Sequence, residues 1–137
     1  GNISSAKALA EPKMQSYAEV ARAGAFIMQN SNPGERVISD SFFQTGHYSN
    51  RPVDMLPESK REFVQLLEKS KARFIEFSFY QHGGNQLAQA TTALMNNQTP
   101  PDTPGAYVLT HSGEFQLVLA EKFPDGNPST FVFKRVA

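Results

Sequence analysis

The chain has 137 residues, a length at which folding removes roughly two thirds of the unfolded surface from water and supports one core. Its 39% hydrophobic and 11% aromatic content suits a globular domain rather than a disordered tail. Thirteen basic and thirteen acidic residues cancel, no like-charge run exceeds two residues, and cysteine is absent. These features argue against nucleic-acid binding and exclude disulfide scaffolds, thiolate zinc sites and cysteine nucleophiles.

Residues 1–11 are small and polar and read as a flexible lead-in; residues 12–137 read as a single α/β domain. From Pro12 a helix is expected, with Tyr17, Val20, Ala21, Gly24, Ile27 and Met28 forming one apolar stripe. Its apolar run, Ala23 to Met28, is far short of the ~18–20 residues of a membrane span. Asn30 to Gly34 ends that helix, and the β-branched Val37-Ile38 predicts a short buried parallel strand. Phe42 to Tyr48 predicts a helical turn, and Pro52 to Leu56 a strand whose proline confines it to an edge or a strand start. Pro57-Glu58-Ser59 opens a helix that turns Phe63, Leu66 and Leu67 inward.

Phe74 to Phe79 carries the clearest period-two pattern, with Glu76, Ser78 and Tyr80 on one face, a solvated face or a cleft wall, the solvated face being favoured. A third helix follows Gly83-Gly84-Asn85, with Leu87, Ala90, Thr91 and Leu94 as its stripe, and Pro100 to Gly105 reads as loop. Tyr107–Leu109, Phe115–Leu119 and Thr130–Val136 read as three closing strands. The expected fold is therefore α/β. Its single mixed sheet has a parallel N-terminal half and an antiparallel C-terminal meander, flanked by about three helices.

Two clusters are candidate sites. Asp40 ends a parallel strand, where open α/β sheets bind ligands, and His47, Tyr48 and Arg51 follow closely enough to share a sugar or phosphate pocket. The simpler expectation is that Asp40 caps the following helical turn and Arg51 pairs with a surface carboxylate. Gly83, Gly84 and Asn85 lie where a strand meets a helix and backbone N–H groups can face an anion. They lack the spaced glycines and lysine of phosphate loops, so a plain turn is favoured. His47, His82 and His111 are too scattered to predict a metal site. Ser41, Ser49 and Ser78 lie in no nucleophile-elbow motif.

The order of these features resembles the C-terminal, non-cytoplasmic region of bacterial dolichyl-phosphate-mannose protein mannosyltransferase-like enzymes. The pieces that carry the likeness are Tyr17 to Gln29, Val37 to Asp40, Tyr48-Ser49-Asn50-Arg51, Leu56-Pro57, Phe63 to Lys71 and Phe74 to Phe79. The closing segments Phe115 to Val118 and Phe131 to Arg135 complete it. Asn50 departs from the glycine usual in that family. The resemblance implies an accessory domain on the extracytoplasmic (periplasmic) side of the inner membrane, without catalytic residues or a cofactor of its own. Its expected partner is the membrane-embedded catalytic region of the same protein, which moves sugar from a polyprenyl-phosphate carrier to a protein or lipid acceptor. The alternative from a different class is an autonomous carbohydrate- or small-ligand-binding module centred on Asp40, His47, Tyr48 and Arg51.

Overall fold

Pro33-Gly34 cannot continue a helix, and the chain there passes from α1 (residues 18–29) into β1 (Val37–Ser39). The computed structural model describes residues 18–136; the expected lead-in and the start of α1, Tyr17 included, lie outside the described residues. The elements that follow are α2 (Phe42–Ser49), β2 (Val53–Met55), α3 (Lys60–Ser70) and β3 (Phe74–Ser78). After them come α4 (His82–Met95), α5 (Pro104–Thr110), β4 (Phe115–Lys122) and β5 (Pro128–Arg135).

The strands form one mixed sheet in the order β2-β1-β3-β5-β4. The β1 strand is parallel to both β2 and β3, with Ser39 level with Met55 on one side and Glu76 on the other. The β5 strand then runs antiparallel between β3 and β4. Both faces are covered. Ile38, Ile75, Phe77 and Phe133 pack with Phe63 and Leu67 of α3, Leu87 of α4 and Val108 of α5. On the other face Val37, Phe74 and Val132 lie beneath Ala23 and Ile27 of α1. Every residue of β1 and β3 is consequently buried, whereas β2 and β4 are the half-exposed edges.

The ends of the helices follow from local chemistry. Ser59 accepts from the Glu62 amide to start α3, and Lys71 in the left-handed region closes it with its N–H on the Leu67 carbonyl. The last carbonyls of α1 are taken by polar side chains, Asn30 Nδ2 on Phe26 at 2.8 Å and Ser31 Oγ on Ile27 at 2.5 Å. Gly24 is required where α1 crosses the end of α2, because a Cβ there would lie 2.5 Å from Tyr48 Cβ.

Three expectations are corrected. Tyr107–Leu109 is helical, inside α5, because Thr103 caps the Ala106 amide and Pro104 occupies the first turn, so the antiparallel end is a hairpin and not a three-strand meander. Among the described residues five helices, not about three, flank the sheet, the additions being α5 and the full two turns of α2. The α1 and α4 stripes are also rotated. Ala23 rather than Met28 faces the sheet, and Thr91 and Leu94 of α4 are exposed while Gln86 and Ala93 are buried.

Candidate functional site

The two predicted clusters become one structure at the carboxyl ends of β1 and β3, where Asp40 meets the start of α4. Asp40 is 4% exposed. Its Oδ2 accepts the backbone N–H of Ser78 at 2.9 Å and of Gly83 at 3.0 Å, and its Oδ1 accepts the Ser78 hydroxyl at 2.7 Å. Asp40 therefore caps α4, not α2 as expected; Ser41 occupies the N-cap position of α2 and makes no side-chain cap bond. Of the predicted Gly83-Gly84-Asn85 anion site, the Gly83 N–H is taken by the chain's own carboxylate at the positive end of α4. Gly83 permits this, since a Cβ would sit 2.4 Å from Asp40 Oδ2. Gly84 permits the matching approach to β3, where a Cβ would fall 2.4 Å from Phe79 Cα and 2.7 Å from the Ser78 carbonyl oxygen. Asn85 is exposed.

Arg51, the fourth member of the predicted pocket, makes no ion pair with a carboxylate among the described residues. Its Nε donates to Ser31 Oγ at 2.9 Å, and its Nη atoms donate to the carbonyls of Met28, Ser31 and Asn50, each at 3.1 Å. The guanidinium thus ties the turn after α2 to the carboxyl end of α1, where a cation is favoured by the helix dipole. His47 and Tyr48 stay at the surface, edge to face at 4.9 Å. Phe43, one turn before His47 on α2, is 80% exposed. His82 Nε2 meets the Leu56 carbonyl at 3.0 Å, tying the start of α4 to the segment after β2, and His111 Nδ1 meets the Tyr107 carbonyl one turn back at 2.7 Å.

The feature that sequence reading missed is Glu76. Expected on a solvated face, it is fully buried because α1 and α2 cover that side of the sheet. Its Oε1 accepts from Ser39 Oγ at 2.5 Å and from Thr45 Oγ1 of α2, while Ser39 and Thr45 are themselves 3.1 Å apart. Ser39 also accepts the Ser41 amide, and Ser41 meets Ser78 hydroxyl to hydroxyl at 2.7 Å. One continuous network therefore joins α2, β1, β3 and the start of α4.

Burial pushes the Glu76 acid up to about 7, aided by the nearby Asp40 charge and opposed by the Ser39 and Thr45 hydroxyls. Asp40 is also raised by burial, against the pull of its bonds from Ser78 and Gly83. The Tyr80 phenol, beside the Ser41, Ser78 and Thr130 hydroxyls, is pushed up to about 12, chiefly by desolvation. The network ties elements together. It contains no hydroxyl hydrogen-bonded to a histidine and hence no activated nucleophile of the serine–histidine kind.

Among the described residues, no group of three or more His, Cys, Asp or Glu side chains is placed to hold a metal ion. No helix among them is long and apolar enough to cross a membrane. No protein-family model and no curated protein matches the chain.

Proposed function

We propose that this chain is the extracytoplasmic accessory domain of an integral-membrane glycosyltransferase, the parent transferring sugar from a polyprenyl-phosphate carrier to a protein or lipid acceptor. The domain positions the acceptor or covers the catalytic cavity and performs no chemistry itself. The order β1, α2, Tyr48 to Arg51, β2, Leu56-Pro57, α3 and β3 accords with the resemblance.

The observation that carries the choice between scaffold and binder is the commitment of the predicted site groups. Asp40 is bonded to Ser78 and Gly83, and the Arg51 donors are spent on carbonyls and on Ser31. A ligand would have to break these bonds, at roughly 1–3 kcal/mol for each buried group left unpaired. That favours a scaffold over a pocket. The second reading, an autonomous binder of sugars, draws on the exposed Phe43, His47 and Tyr48.

The reading is tested on the full-length reading frame and on the isolated chain. Several apolar spans of about 20 residues should precede these residues in the gene. Deletion of residues 18–136 from the membrane protein in vesicles should impair sugar transfer from a polyprenyl-phosphate donor. Calorimetric titration of the isolated chain with monosaccharides and with polyprenyl phosphate should give no binding. A dissociation constant of about 1 mM or tighter, abolished by Tyr48→Ala, would establish the binder in its place.

A further inference from the structure

The ring formed by Glu76, Ser39 and Thr45 contains one more hydrogen bond than its hydroxyls can supply. Three oxygen–oxygen contacts close it: Ser39 to Glu76, Thr45 to Glu76, and Ser39 to Thr45. Each hydroxyl carries one hydrogen and an ionised carboxylate carries none, so two hydrogens are available for three bonds. The Ser41 amide cannot make up the difference, because it already points at Ser39 Oγ at 2.9 Å. A hydrogen on Glu76 closes the count. The acid then donates to one hydroxyl, that hydroxyl to the second, and the second back to Oε1, with Ser39 still free to accept from Ser41.

We propose that this ring is a proton-binding site in the core, with Glu76 held as a neutral carboxylic acid whose ionisation loosens α2 from the sheet. The surroundings support the assignment. Glu76 is wholly buried, and among the described residues no cationic side chain bonds to it. Its Oε2 has no hydrogen-bond partner among the described residues, a tolerable position for the carbonyl oxygen of an acid and a costly one for a shared negative charge.

The charged groups on the surrounding elements do not compensate it. Asp40, at the β1–α2 junction, adds a like charge, and the Tyr80 phenol after β3 is neutral, its own acidity suppressed. From α1 come Glu19 and Arg22, bonded to each other at 2.8 Å, with Arg22 reaching Glu121 of β4 at 3.2 Å. On α2 the only titratable side chains are His47 and Tyr48, both at the surface, and Lys134 of β5 pairs with Phe74, two residues along β3 from Glu76. Among the described residues, a proton is the counterion that remains. Asp40, with two backbone N–H groups and a hydroxyl on it, is the better place for the charge, so the two carboxyls divide the roles.

The test is a carbon-13 titration of glutamate side-chain carboxyls, with amide hydrogen exchange measured on the same protein. One glutamate carboxyl is expected to stay in its acid form through pH 6, to titrate near 7, and to vanish in Glu76→Gln. Exchange protection of α2, corrected for the intrinsic rate, should fall about tenfold per pH unit between 4.5 and 7 and level off above that. In Glu76→Gln it should not depend on pH. Should that variant not fold, Thr45→Val leaves the acid in place but removes a ring member, and is expected to move the titration. The proposal is overturned if every glutamate titrates in the ordinary range near 4.3, if Thr45→Val leaves the titration unmoved, or if α2 protection is flat with pH. A titration that moves with sodium concentration at constant ionic strength would identify a metal cation as the occupant and overturn it equally.

Discussion

Asp40→Ala is the substitution that separates a structural clamp from a ligand group. In the native fold the carboxylate holds the N–H groups of Ser78 and Gly83 and the Ser78 hydroxyl, and both residues are buried. Truncation strands two buried backbone donors at roughly 1–3 kcal/mol each and removes a charge-assisted bond; relief of the buried charge offsets part of this. The net expectation is a loss of about 3–5 kcal/mol, a large share of the 5–15 kcal/mol typical of whole domains. Asp40→Asn should cost no more than about 1.5 kcal/mol, since its Oδ1 can accept both N–H groups while its amide nitrogen donates to a reoriented Ser78 hydroxyl. Urea denaturation followed by far-ultraviolet circular dichroism measures both, with stability read from the midpoint at unchanged m-value. If Asp40→Ala cost less than about 1 kcal/mol or raised stability, Asp40 would be a functional group kept at the expense of stability, and the scaffold reading would lose its main support.

The pH dependence should run against ordinary acid denaturation. Because folding raises Glu76 from about 4.5 to about 7, stability is greatest below pH 4.5, falls by about 3 kcal/mol across that window and is level above it; Glu76→Gln should flatten the profile, measured as urea midpoints from pH 4.5 to 8. Arg51→Ala should cost about 1–2 kcal/mol and speed amide exchange at residues 28–32, whereas an undisturbed exchange map there would show that its bonds to α1 carry no weight. Gly84→Ala should cost about 3 kcal/mol or more because the added carbon meets the backbone of Ser78 and Phe79 as well as the root of the Phe79 ring, while Gly34→Ala, open on all sides, should be neutral or stabilising by under about 1 kcal/mol. Equal effects of the two glycine substitutions by thermal denaturation would refute the close approach of α4 to β3.

The elements that could be read from sequence were those in which local chemistry and tertiary position agree. The helix opened after Pro57-Glu58-Ser59, though it starts at Lys60 with Ser59 as cap and Pro57 outside its first turn, Phe63 and Leu67 on its inner face, the proline-marked strand β2 and the buried Val37-Ile38 all follow from short-range rules. Tyr107 to Leu109 failed because a β-prone tripeptide outweighed the helix-start signal of Thr103-Pro104 just before it. Glu76 failed because alternation says which residues share a face but not whether a helix covers it. A clue was present, since α1 had an apolar stripe in need of a surface, and the polar face of β3 was the one available. The union of Asp40 with Gly83 was beyond reach, as the two lie 43 residues apart and only the parallel pairing of β1 with β3 brings them together. His47, Tyr48 and Arg51, grouped by proximity along the chain, diverge because α2 turns the first two outward while Arg51 reaches back to α1.

The place of β5 between β3 and β4 bears on how the chain is made. The strand synthesised last is the one that joins the sheet's two halves, so a nascent chain can assemble β1, β2 and β3 but must leave the flank of β3 open until Pro128–Arg135 emerges. Completion of the sheet thus waits on Pro128–Arg135. A stop codon anywhere before Pro128 yields a polypeptide with a bare central strand, suited to clumping with its siblings and to early degradation.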